Sequence, residues 1–401
     1  MPAKQRRLTK LAFAGSLAGT LVASGILVTA PAALASRAQQ ANPAIGGVGT
    51  PSWKNVSPTP FSGVAAAGLN TVSCFSRSNC IAVGVFEANT FFELFSQHWD
   101  GKGWTSQIMP KPKSTNINGV SCPAANSCEA VGNQSNGVTQ VPMVEHWNGI
   151  GWAIKNTPAP PEISRGFLLA VSCASKTSCV AVGEVTTKSG RQRALAEHWN
   201  GKIWQITPTP NLAGKQLIEL NSVSCPSTTF CLATGTYAGG TFAEVWNGKS
   251  WGPTSPVPNA TGALRSALLG VSCPTTKDCL AVGTSSTPKT VPLAEHWDGK
   301  KWSVQKIPAP AGAVASGLNG ISCSSASACS AVGSVTRKSG NGSIAYAWTG
   351  KRWATRAVAV PPSSLSVFLS DVSCNSASAC MAVGDYNDAS NQEQMLAEQY
   401  S

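Results

Sequence analysis

The 401-residue sequence predicts an all-β fold: a seven-bladed β-propeller of four-stranded antiparallel blades, its ring closed by the N-terminal strand. Three observations carry this. Close variants of V-S-C-x5-C-x-A-V-G occur seven times, with first cysteines at 74, 122, 173, 225, 273, 323 and 374, spaced 48 to 52 residues apart. A period near fifty marks units that cannot bury their own apolar faces and must stack on neighbours. Each period holds four short β-rich runs bounded by turn residues and no helical periodicity. The last repeat stops at Tyr400-Ser401, where its fourth strand should begin, and the missing piece, Trp53 to Pro60, lies at the start of the chain. An open solenoid gains nothing from that offset, whereas a ring gains a non-covalent clasp.

Residues 1–35 read as a secretory signal peptide. Lys4, Arg6, Arg7 and Lys10 lead into an apolar stretch from Leu11 to Ala30, and Ala33-Leu34-Ala35 is a small-residue cleavage site. An uncleaved anchor is the alternative; Pro31 and the A-x-A site favour removal, which leaves no membrane span. Arg6-Arg7 lacks the apolar pair that follows twin-arginine signals, so ordinary secretion is expected, and with no cysteine before Cys74 there is no site for N-terminal lipidation. Removal takes four positive charges and lowers the formal charge from +12 to +8. With 12% charged residues and no basic run outside the signal, nucleic acid is not an expected partner. Residues 36–52, rich in Gly, Pro and Ala, read as a flexible linker. The propeller occupies 53–401, with strand d of blade seven from 53–60 and blades one to seven from 66–401.

Blade three illustrates the pattern. Strand a is expected at Phe167 to Cys173, b at Cys179 to Glu184, c at Arg193 to Trp199 and d at Lys202 to Thr207, ended by Pro208-Thr209-Pro210. Asn200-Gly201 signals a two-residue type I′ hairpin between c and d. That turn pairs residue 197 with 204, sets Trp199 diagonal to Trp204, and brings Glu197, Glu244 and Glu295 beside Lys202, Lys249 and Lys300 as cross-strand ion pairs.

All 14 cysteines fall at two repeat positions, and in an exported chain they predict Cys74-Cys80, Cys122-Cys128, Cys173-Cys179, Cys225-Cys231, Cys273-Cys279, Cys323-Cys329 and Cys374-Cys380. The spacing does not suit zinc, and no metal or cofactor is expected. The 13 tryptophans divide between the end of strand c and the head of strand d, with Tyr400 in the vacant place, as packing groups. His98, His146, His198 and His296 share one position that is Val245, Ala347 and Gln399 elsewhere, so they are not a shared catalytic base. Glu145, Glu197, Glu244, Glu295 and Glu398 recur beside them, with Gln97 and Tyr346 as exceptions. The serine before each first cysteine is present seven times and is structural.

What remains for function lies on the rim carrying the b-c and d-a connections, opposite the disulfides. Candidate ligand-binding residues there are Lys188, Arg191 and Arg193 in blade three, Arg337 and Lys338 in blade six, and Asp385 and Tyr386 in blade seven. The residue before V-S-C is small in six blades (Thr71, Gly119, Ala170, Ser222, Gly270, Gly320); the seventh, Asp371, is a candidate channel ligand. No catalytic constellation is visible.

From Asn70 to Ser401 the repeat S-C-x5-C-x-A-V-G followed by A-E-H-W-[ND]-G-K-x-W resembles secreted tandem-repeat proteins of high-GC Gram-positive bacteria, a family that implies no activity. Asp100-Gly101-Lys102-Gly103-Trp104 partly resembles the Asp-box hairpin of sialidase-type propellers, lacking the residue between Asp and Gly. The expectation is a secreted, monomeric, non-enzymatic binding module for an extracellular protein or cell-wall glycan. The alternative is a glycan-active propeller enzyme, a hydrolase or lyase, which needs paired carboxylates or an arginine cluster in one pocket.

Overall fold

A computed structural model describes residues 51–401, apart from 62–63, 65, 89–90, 111–114, 136, 211, 213–214 and 254. The expected signal peptide and nearly all of the linker lie outside the described residues. The described chain is all β, with 28 strands and no helix. They form seven antiparallel units of four strands, six of them continuous in sequence. The remaining unit combines Ser366–Ser376, Ala379–Asn387 and Glu393–Tyr400 with Trp53–Asn55 from the other end of the chain, in the register Trp53↔Tyr400 and Asn55↔Glu398. No described helix is long and apolar enough to cross a membrane.

In unit three, strand a is Ile163–Ser175, b Ser178–Thr187, c Gln192–Trp199 and d Trp204–Ile206. Strands a and b outrun their expected bounds because both are held by a long ladder; strand d is shorter, chiefly because it starts two residues later, and Thr207 N–H still donates to Ala196 O at 2.9 Å. The b strands are buried on both faces, which accounts for their C-x-A-V-G runs. In unit one, Ile81, Val83 and Val85 pack into unit two, while Cys80, Ala82 and Phe86 pack against Met381, Val383 and Met395 of unit seven. Seven apolar clusters result, each between two units, including one between the seventh and the first.

All seven disulfides form as expected, between the ends of strands a and b with Cα atoms 3.9 to 4.1 Å apart, and among the described residues no cysteine is free. The serine before each first cysteine reaches the neighbouring unit. Its Oγ accepts the backbone N–H of the next first cysteine at 2.9 to 3.0 Å: Ser73 from Cys122, Ser121 from Cys173, Ser172 from Cys225, Ser224 from Cys273, Ser272 from Cys323 and Ser322 from Cys374. Ser373 accepts from Cys74 in the same way, at 2.9 Å.

The c-d turn differs from the expected hairpin. Asn200 Oδ1 accepts the N–H groups of Lys202 and Ile203, both at 3.0 Å, so the side chain takes donors that a two-residue turn would pair differently. The loop becomes four residues, with Gly201 at φ 89°, and Trp199 pairs directly with Trp204, ring centroids 5.9 Å apart. Asp100, Asn148, Asn247 and Asp298 build the same loop.

The altered register overturns the expected ion pairs. Glu197 faces Ile206 instead of the neighbourhood of Lys202, and it is fully buried, accepting a hydrogen bond from Thr157 Oγ1 in the segment after strand d of the preceding unit. Glu295 likewise faces Val304 and is fully buried instead of meeting Lys300, and Glu244 is 1% exposed.

Candidate functional site

On the b-c/d-a rim, two positions pair at the mouth of each unit: the residue before the core leucine or isoleucine of strand a, and the residue after A-V-G (A-T-G in unit four) of strand b. The seven pairs are Gly68/Val85, Asn116/Asn133, Phe167/Glu184, Glu219/Thr236, Ala267/Thr284, Gly317/Ser334 and Phe368/Asp385. Here the repeat stops repeating, while one residue further in Leu69, Ile117, Leu168, Leu220, Leu268, Leu318 and Leu369 are all buried. The chain thus presents seven different pairs on seven like supports.

Unit seven contributes Asp385, 8% exposed. Burial pushes its carboxyl well above the ordinary range, and the nearby Glu393 adds to the rise. Both lie against Gly68 of unit one, where a Cβ would stand 3.2 Å from Glu393 Oε1 and 3.6 Å from Asp385 Cβ. Tyr386 is half-buried against the apolar cluster shared by units six and seven. Between units three and four, Glu184 and Glu219 are both pushed up to about 7 by burial; Arg165 opposes the rise at Glu184, and Glu184 adds to it at Glu219. Glu219 Oε1 accepts from Thr236 Oγ1 at 2.8 Å.

Between units five and six a cleft of about 250 Å³ opens, lined by Ala267, Leu269, Thr284, Thr290, Ser316 and Asn319 together with Ala315, Gly317, Ser334 and Thr336. Every polar group on its wall is a hydroxyl or an amide.

The candidates named from sequence are dispersed. Lys188, Arg191, Arg193 and Lys338 are exposed loop or strand-end residues. Arg337 is half-buried, its Nε donating to Ala311 O at 3.2 Å. Asp371 is engaged at the junction of the last and first units: Oδ2 accepts from Thr71 Oγ1 at 2.7 Å and Val72 N–H at 3.2 Å, and Oδ1 accepts from its neighbour Val372 N–H at 2.9 Å. Ser222 Oγ does the same for Val271 N–H, at 3.0 Å. The small residues at this position have a steric cause, since a Cβ on Gly320 would lie 2.6 Å from Asp371 Oδ1.

Glu184, Glu219, Glu393 and the cleft hydroxyls escaped the sequence reading. The signal for Glu184, Thr284 and Ser334 was present: they stand in the column after A-V-G, which varies from unit to unit beside a fixed position. Among the described residues no three His, Cys, Asp or Glu side chains gather as a metal site.

No family profile and no curated protein matches the sequence. Solved structures do match. YCF48 bound to D1 peptide shares 15% identity over 87% of this chain and 95% of that one, with a TM-score of 0.54. YCF48 from Cyanidioschyzon merolae shares 12% over 87% and 98%, at 0.51. A protein of unknown function from Dyadobacter fermentans shares 9% over 88% and 100%, at 0.50. The likeness is one of fold, and the fold is propeller-like.

Proposed function

We propose that the protein is a secreted, monomeric, closed seven-bladed propeller that works as a non-enzymatic extracellular binding module, its ligand held on the b-c/d-a rim. One observation carries this reading: the paired rim positions diversify in every unit while the supports beneath them stay fixed. Fixed supports beneath varied, rim-facing pairs suit a scaffold that presents a different surface in each unit. Closure is supported by the strand Trp53–Asn55 pairing with Glu393–Tyr400, by the Ser373 to Cys74 contact and by the apolar cluster between the seventh and first units. Export with removal of residues 1–35 agrees with seven disulfides, which persist in oxidising compartments. The ligand class is an extracellular protein or a cell-surface glycan.

A second reading, a glycan-active enzyme, draws on Glu184 and Glu219, two carboxyls held near 7 within each other's field. The mature protein, residues 36–401, distinguishes the two when it is run on glycan and peptide arrays and against a panel of glycoside substrates. Binding without turnover is the expected result. Turnover of any glycan that disappears in Glu219→Gln or Asp371→Asn overturns the non-enzymatic reading.

A further inference from the structure

We propose that the cleft between units five and six is a binding site for a single neutral saccharide ring; this rests on the rim reading above and specifies its ligand. The cleft exists because of a departure from the repeat. At the rim pair, units three and seven carry Phe167 beside Glu184 and Phe368 beside Asp385, a large ring and a carboxyl together. Units five and six carry Ala267 beside Thr284 and Gly317 beside Ser334, so bulk and charge are lost together in two adjacent units. The inner strands cannot close the gap, because they already touch further in: a Cβ on Gly270 would lie 3.3 Å from Gly320 Cα. A side chain at residue 317 would displace Thr284, since its Cβ would stand 2.3 Å from Thr284 Cγ2.

The wall chemistry selects the ligand. Thr284, Thr290, Ser316, Ser334 and Thr336 present hydroxyls, each able to donate and accept, and Asn319 holds its orientation by donating from Nδ2 to Leu369 O at 2.9 Å. No lining residue is charged, so an ionic ligand would be desolvated without a counter-charge. Ala267, Leu269, Ala315 and Gly317 supply a small apolar floor for a C–H face. A compact molecule rich in hydroxyls matches both surfaces, and a volume of about 250 Å³ lies below the ~300–1,000 Å³ of drug-sized sites, which fits one ring.

The test is titration of the mature protein with neutral monosaccharides and their methyl glycosides, followed by NMR and calorimetry, with peptides and a sialic acid as comparison ligands. A neutral saccharide is expected to bind with an affinity unchanged between low and high salt, since no charge is screened. Thr284→Val with Thr336→Val keeps the shape and removes two hydroxyls, and is expected to weaken binding by about tenfold or more. Ala267→Phe, a residue that two other units carry at this position, is expected to abolish it with the melting temperature unchanged. If Ala267→Phe leaves saccharide binding intact, or if only peptides or the charged sugar bind, the cleft assignment is wrong while the rim reading stands. If neither saccharide nor peptide binds the wild type, both fall.

Discussion

Ser172 shows how much one hydroxyl carries. Its Oγ takes the N–H of Cys225 at 3.0 Å across the junction of two units. Ser172→Ala is expected to cost about 1–3 kcal/mol, measured by chemical denaturation, because the N–H stays half-buried without a partner. The recurrent glutamates are charged with a different duty. Glu145 and Glu295 are fully buried, neither oxygen of either finds a partner among the described residues, and burial pushes both up to about 8, as it does Glu398. The unfolded carboxyl loses its proton near its ordinary value of 4.5 and the folded one only near 8. Between those values the unfolded chain binds fewer protons, so stability is full below about pH 4.5 and falls as pH rises through 8. The melting temperature should therefore rise on acidification from pH 9 to pH 5. Glu295→Gln should raise it at pH 8.5 by on the order of 2–4 °C and leave it unchanged at pH 5, as scanning calorimetry at the two pH values will show. Unit one already carries Gln97 at this place, with Nε2 donating to Ser106 Oγ at 2.8 Å.

At the scale of the element, the c-d loop decides which side chains meet. Asn200→Ala removes the acceptor for two N–H groups and is expected to cost about 1 kcal/mol in denaturant unfolding, with Asn200→Asp close to neutral. The same loop marks how far the sequence could be read. Strands a and b were legible because C-x5-C ties their ends to one register, and the disulfides followed from it. The c-d register was not, since Asn-Gly suits both a two-residue hairpin and the four-residue loop, and only the side-chain acceptor chooses between them. That two-residue shift moved Glu197 from a surface ion pair into the core. The rim was legible as a region and not as a site: Lys188, Arg191 and Lys338 stand out by charge yet point to solvent, whereas Thr284 and Ser334 matter through the absence of bulk opposite them. A vacancy leaves no residue to notice.

Across the whole molecule, stability rests on junctions between units. Trp53, 6% exposed, sits on Tyr400 with ring centroids 5.3 Å apart, and Val56 O accepts from Trp104 Nε1 at 2.7 Å, so the N-terminal segment binds units seven and one together. Deleting residues 51–60 is expected to lower the melting temperature by roughly 5 °C or more, since it uncovers the Tyr400 ring, frees the edge of Glu393–Tyr400 and takes the acceptor from Trp104. An unchanged melt would refute the clasp. Ser52 N–H donates to Ser401 O at 3.2 Å and Ser401 N–H to Ser52 O at 3.4 Å, which brings the two ends of the described chain side by side. Since every junction uses the same serine and the same cysteine N–H, no unit is marked as first. A gene cut in any exposed b-c loop and spliced through a short bridge from Ser401 to Ser52 would encode a circular permutant with every junction intact, and rotating the order of units should leave the molecule indifferent to where its synthesis starts.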